Sequence, residues 1–190
     1  MAPQKKENIL FEGRTFQIVD KHFIFGNKSK SIEIARRSPG VRLIIFKGSK
    51  ILLTKEFRRE LNGYDYRLPG GKVFDSLAEY KKAVKEGKDM LKCAVEAAKI
   101  ECLEETGLIA RKIKHFKTSK AGQTIEWDMF YFLVEDFEES KKGQQLGFGE
   151  EIYPEWKTFG EAKELCKNKF NEDRSLGILF RFFMLKGIVK

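Results

Sequence analysis

Histidine and cysteine are scarce in this chain and acidic residues are outnumbered by basic ones, and each imbalance narrows the chemistry open to it. Two histidines, His22 and His115, leave little from which to build a structural zinc site. Three cysteines, Cys93, Cys102 and Cys166, have neither metal-ligand nor disulfide-framework spacing, which points to a reducing, cytoplasmic setting. No apolar run approaches the roughly 20 residues needed to cross a bilayer. The first residues, MAPQKKENIL, lack the apolar core of a secretion signal, so no membrane partner is expected. A Ser/His/Asp triad has no nucleophile-elbow motif to support it. With 37 Lys and Arg against 28 Asp and Glu, the formal net charge is +9. That excess favours anionic partners such as nucleotides and polyphosphates. The lysines are spread along the chain and form no basic arm, so nucleic acid is not the expected partner.

What remains is an ordinary globular composition, 42% apolar over 190 residues, enough for one sizeable core with a small extension. Short alternating runs predict an N-terminal β meander within residues 1–40: strands at Phe16–Ile18 and Phe23–Phe25, separated by Asp20-Lys21, then Ser31–Ala35. Val41–Phe46 and Ile51–Leu53 flank Gly48-Ser49 as a hairpin. Ser76-Leu77-Ala78-Glu79 is a capping box and predicts a short helix over 76–86, with Leu77, Tyr80 and Val84 on its apolar edge. Asp89 caps a longer helix bearing Leu91, Ala94, Val95, Ala98 and Cys102 on one side. Ile109–Phe116 and Glu126–Phe137 read as strands, and the polar, glycine-rich stretch 138–151 as a mobile loop. Ile152–Trp156 reads as an edge strand because Pro154 has no amide proton to donate. Thr158-Phe159-Gly160-Glu161 opens another helix, and a last one starts near Asn171-Glu172-Asp173, with Leu176, Leu179, Phe183 and Leu185 as its apolar stripe.

The long helix carries the chemistry. Glu101, Glu104 and Glu105 stand at i, i+3 and i+4, neighbours on one helical face. Like charges so placed repel unless a cation lies among them, and oxygen ligands of this kind suit Mg²⁺. The simpler alternative is a solvated acidic surface. The order of residues argues otherwise. Glu101-Cys102-Leu103-Glu104-Glu105-Thr106-Gly107-Leu108 resembles the second half of the Nudix box, E-U-x-E-E-x-G-U with U apolar. Leu68-Pro69-Gly70-Gly71 resembles the turn that enters that box. Residues 73–92 are an insertion relative to the family pattern, and Lys92 and Ile100 stand where it has glutamate and arginine. Arg67 stands where it usually has another glutamate.

The resemblance implies an α/β (α+β) fold: a Nudix-type α/β/α sandwich with a mixed sheet and a small N-terminal β extension. It divides the chain into a meander, 1–40, that helps build a homodimer, and a catalytic unit, 41–190, with the helical insertion 73–92. It implies Mg²⁺-dependent hydrolysis, with Mn²⁺ as a substitute, of a nucleoside diphosphate linked to another moiety, in the ADP-ribose or nucleotide-sugar branch. Glu101, Glu104, Glu105 and the Gly70 carbonyl would be metal ligands. Glu104, Glu150 or Glu151 would be the catalytic base. Arg58, Arg37 and Gly71 would bind substrate. Ile100 cannot donate the hydrogen bonds of the arginine it replaces, which leaves open a nucleotide sensor that does not cleave.

Overall fold

The computed structural model describes residues 4–189, the side chains of residues 4, 5 and 25 excepted. The outermost limits of the two expected units, Met1 and Lys190, lie outside the described residues. The elements run β1 (Gln4–Glu12), β2 (Phe16–Phe25), β3 (Lys28–Arg37), β4 (Gly40–Lys47), β5 (Lys50–Arg58), β6 (Gly63–Arg67), α1 (Leu77–Lys85), α2 (Met90–Thr106), β7 (Leu108–Ser119), β8 (Ile125–Glu126), β9 (Met129–Glu139), β10 (Ile152–Thr158), α3 (Phe159–Leu165) and α4 (Asp173–Leu185). No described helix is long and apolar enough to cross a membrane.

The central sheet has the order β10-β5-β4-β9-β7, with β6 added to the far half of β5. It is mixed, because β4 and β9 run parallel while their other pairings are antiparallel. Side-chain alternation divides its interior between two layers. Val41, Leu43 and Ile45 of β4 pack with Phe130, Phe132 and Val134 of β9 against Ala94, Ala98 and Cys102 of α2. Ile44 and Phe46 face the opposite way, with Met129 and Tyr131, against Leu179, Phe182 and Phe183 of α4. The result is an α/β/α sandwich. Each buried Leu, Ile or Phe in these layers contributes about 1.5–3 kcal/mol.

The N-terminal sheet, β1-β2-β3-β8, differs from expectation in two respects. Asp20-Lys21 do not break the chain, because β2 runs unbroken past them while Lys21 pairs with Glu7 and Glu126 and Asp20 with His22 and Ser31. The expected strand 126–137 is two strands, with Trp127-Asp128 between them. The short β8 joins the N-terminal sheet by running parallel to β3, so the extension and the sandwich are stitched together. Ile9, Leu10 and Phe11 of β1 and Phe16 and Ile24 of β2 are exposed.

The insertion forms α1, with Ser76 accepting from the Glu79 amide as its cap. Its inner edge is Leu77 and Ala83; Val84, expected there, is exposed. Likewise Leu91 of α2 and Leu185 of α4 face outward. Leu77 donates its amide to the Arg14 carbonyl and Lys81 pairs with Glu12, so the insertion braces the N-terminal sheet. Strand β10 lies at the sheet edge, consistent with Pro154. The glycine-rich stretch is fastened and does not hang free: Ser140 donates to the Gly107 carbonyl and Gln145 to that of Glu104, meeting the orphan carbonyls at the end of α2.

Candidate active site

Strands β4 and β5 pair only over Ile45–Lys47 and Lys50–Leu52, after which β5 leaves to pair with β6. The vacated edge of β4 is taken by the Leu68–Gly71 turn: Val41 donates its amide to the Gly71 carbonyl at 2.9 Å and Leu43 to the Pro69 carbonyl at 2.8 Å. Both glycines are required by close approach. A Cβ on Gly70, at φ +138°, would lie 2.9 Å from the Val41 carbonyl carbon. One on Gly71 would lie 2.5 Å from the Glu101 carboxyl carbon. Helix α2, ended by Gly107 in the left-handed conformation, lays its acidic face on this turn.

There the three glutamates separate into distinct roles. Glu105 is buried and accepts from the Gly70 amide at 2.7 Å; burial, then the charges of Glu56 and Glu101, push its carboxyl well above the usual range. Glu101 rests on Gly71 and accepts from the Lys72 amide, and burial, then the charge of Glu104, push it up to about 7. Glu104 is exposed at the cleft wall. Glu56 is buried on β5, bonded to Thr54 Oγ1 at 2.7 Å. All four line one cleft of about 890 Å³, along with Gly70, Gly71, Glu150, Glu151, Arg37 and Arg58.

The two loop glutamates are not equivalent. Glu151 accepts from the Tyr64 and Tyr153 hydroxyls on the outer side of the loop. Glu150, in a turn in which its carboxylate accepts from the Gly147 amide at 2.8 Å, adds its charge to that around Glu101. Gln144 holds this segment in place, its amide donating to the carbonyls of Glu105 at 2.6 Å and Ile152 at 3.1 Å.

Arg42, which sequence reasoning passed over, is the cation beneath the acids. Its Nε donates to Glu172 at 3.1 Å and its Nη1 to the carbonyl of Gly70. Burial works against its charge, but Glu172, Glu105 and Glu56 hold it firmly protonated. Ile100 is 55% exposed on the outer face of α2, far from any such role. Arg42 brings its positive charge to the acidic cluster from β4. The one available signal was a charged residue inside the apolar run Val41–Phe46, where an unpaired arginine is too costly to bury.

The Gly70 carbonyl expected to face an ion is therefore already an acceptor for Arg42. Among the described residues no three His, Cys, Asp or Glu side chains are gathered as a ready-made metal cage. The donor chemistry nevertheless fits a hard divalent ion. Glu101 and Glu105 repel one another and their acidic neighbours, and oxygen ligands with retained water are what Mg²⁺ takes.

Arg58 proves to be engaged by acids, at 2.7 Å from Glu60 and 3.6 Å from Glu56. Arg67 likewise pairs with Asp65 at 3.0 Å. Arg37 has no carboxylate within ion-pair distance among the described residues and stacks instead on Trp127, 4.3 Å from the ring centroid. The lysines of α1 do not line the cleft.

No family model and no curated protein matches the sequence. The structure is similar to the crystal structure of an ADP compounds hydrolase, with a TM-score of 0.72 and 18% sequence identity over 100% of this chain and 98% of that one. At that identity the likeness is one of fold. A mixed-sheet α/β/α sandwich with an N-terminal β extension, the architecture implied by the Nudix-like segments, is the one this chain adopts.

Proposed function

We propose that the chain hydrolyses the diphosphate of a nucleoside diphosphate derivative, ADP-ribose or a nucleotide sugar, with Mg²⁺ held by Glu101, Glu104 and Glu105. The observation that carries this reading is the seating of half-buried Glu101 and buried Glu105 on Gly70-Gly71, mutually repelling, in a cleft also lined by arginines. The solved ADP compounds hydrolase of the same fold supports it. Bound there, the ion would offset the negative charge of the diphosphate.

The chain's own residues supply the remainder. Glu150 is the better base, because Glu151 is tied to two tyrosines. It accepts a proton from water as the water oxygen bonds to phosphorus. The bridging P–O bond breaks, and the two products each leave as a phosphate monoester. Arg42 keeps Glu105 and the Gly70 turn in register, and placement of this kind accounts for much of phosphoryl-transfer catalysis. The exposed apolar side chains of β1 and β2 fit a second copy of the chain, which sedimentation would record as a homodimer.

A panel of nucleoside diphosphate derivatives with Mg²⁺ or Mn²⁺, read by product chromatography, tests the reading. Glu104→Gln should lower turnover by about 100-fold or more while leaving the fold intact. Silence across the panel with folded protein, or turnover indifferent to chelator, overturns it.

A further inference from the structure

Three side chains from separate elements converge at the opposite end of the cleft from Arg58. Arg37 closes β3, Trp127 lies between β8 and β9, and Arg174 is in the first turn of α4. Both guanidinium carbons sit over the indole, 4.3 Å and 4.8 Å from its centroid. Arg174 is anchored by Nη2, which donates to the carbonyls of Ser119 at 2.9 Å and Trp127 at 3.0 Å. Its other terminal nitrogen, Nη1, is buried with no acceptor. Native structures rarely leave such a donor unmet.

The charges are unmet as well. The cleft arginines 42, 58 and 67 each pair with a carboxylate; Arg37, Arg174 and Arg59 have none within ion-pair distance among the described residues, and of these three Arg59 is exposed to solvent while Arg37 and Arg174 are half-buried. Burial, then the charge of Arg42, makes the protonated form of Arg37 harder to keep than usual. An indole face attracts cations but neutralises neither. Two half-buried guanidiniums, one with an idle donor, share a single indole and have no carboxylate to offset them.

We propose that Arg37, Trp127 and Arg174 form an oxyanion subsite for a phosphate or carboxylate that the substrate carries in addition to the diphosphate that is cleaved. The word substrate rests on the function proposed above; the anion site itself does not. Guanidinium forks match either oxyanion in a bidentate manner. The location separates it from the reacting centre. Gly40 donates to the Asp128 carbonyl and Val41 to that of Gly71, so Arg37 and Trp127 lie just beyond the glycine turn, on the side away from β5. A diphosphate over Glu101 and Glu104 then has Arg58 on one flank and this pair on the other.

The test uses the full chain carrying Trp156→Phe, which leaves Trp127 as the sole tryptophan, since the sequence has 2. Its fluorescence is titrated with inorganic phosphate and, separately, acetate. A saturable change is expected with at least one, weakened roughly tenfold or more by Arg37→Gln and by Arg174→Gln. Should Arg174→Gln fail to fold by circular dichroism, Arg37→Gln decides. Turnover is then compared for ADP-ribose and its 2′-phosphate, and for UDP-glucose and UDP-glucuronate. A roughly tenfold or larger kcat/KM preference for the more anionic member, abolished by Arg37→Gln, supports the subsite, and the pair that shows it separates phosphate from carboxylate. No saturable fluorescence change, a change indifferent to both substitutions, or turnover without preference overturns it. Arginine-dependent binding with no turnover of any compound sinks the hydrolase reading and leaves the anion site standing.

Discussion

Gly71→Ala separates the geometry of the acidic site from the stability of the fold. Gly71 has no left-handed φ to preserve, so an alanine there strains no backbone. Its methyl would lie 2.5 Å from Cδ and 2.8 Å from Oε2 of Glu101, where ordinary contact begins at 3.4 Å. Oε1 would lie closer still, so the carboxylate must retreat by more than about 1 Å. It sits at the end of a flexible side chain, so the overpacking cost should stay near the low end of the usual range, about 1 kcal/mol. A displacement of that size at a reacting centre costs about 100-fold in rate. Gly70→Ala supplies the contrast. There the methyl would strike Val41 and lie 3.0 Å from the Arg42 Cα, and φ +138° is strained for any L side chain. Thermal unfolding and kcat for the Mg²⁺-dependent reaction are measured on both variants. The expected result is a nearly normal Tm with about 100-fold lower kcat for Gly71→Ala, and a clearly lowered Tm for Gly70→Ala. Full activity in a folded Gly71→Ala protein would refute the placement of Glu101 at the reacting centre.

Arg42→Leu should destabilise the fold by about 3 kcal/mol in urea, because it leaves the largely buried carboxylate of Glu172 with only the Ser175 hydroxyl and the more distant Arg67 at 3.9 Å. The double variant Arg42→Leu/Glu172→Leu should recover much of that loss, and a single variant within about 1 kcal/mol of the parent would contradict the pairing. Acid should loosen the N-terminal sheet first. Burial raises the Glu126 carboxyl, but hydrogen bonds from Lys21 and Arg36 outweigh it and leave the group below its usual range. The stabilisation is then complete above the unfolded value of about 4.3 and is lost as pH falls through the lower native one. Hydrogen exchange of β2 and β3 should rise over that range, and Glu126→Gln should weaken the pH dependence, the remainder falling to Glu7, which the same Arg36 and Lys21 hold low; an unchanged acid limb would contradict the assignment.

Several parts of this molecule are decided within a few consecutive residues and were legible for that reason. Ser76, Asp89 and Thr158 cap their helices as their local patterns require, and Gly107 ends α2. The spacing of Glu101, Glu104 and Glu105 puts them on one helical face whatever surrounds it. Pro154 sends its strand to an edge. Burial patterns were less secure at element ends, where Val84, Leu91 and Leu185 face outward.

What only the tertiary structure decided depends on partners distant in the chain. Whether Asp20-Lys21 interrupts a strand was settled by Glu7 and by Glu126, more than a hundred residues away. That Glu151 is held by Tyr64 and Tyr153 while Glu150 adds its charge to that around Glu101 depends on such partners, and that Arg58 is largely neutralised follows from Glu60 and Glu56. Arg42 could not be read as part of the acidic site because it comes from a strand that meets the helix only after folding. Local periodicity places side chains on faces of elements; which charges meet across those faces is set by how the elements pack.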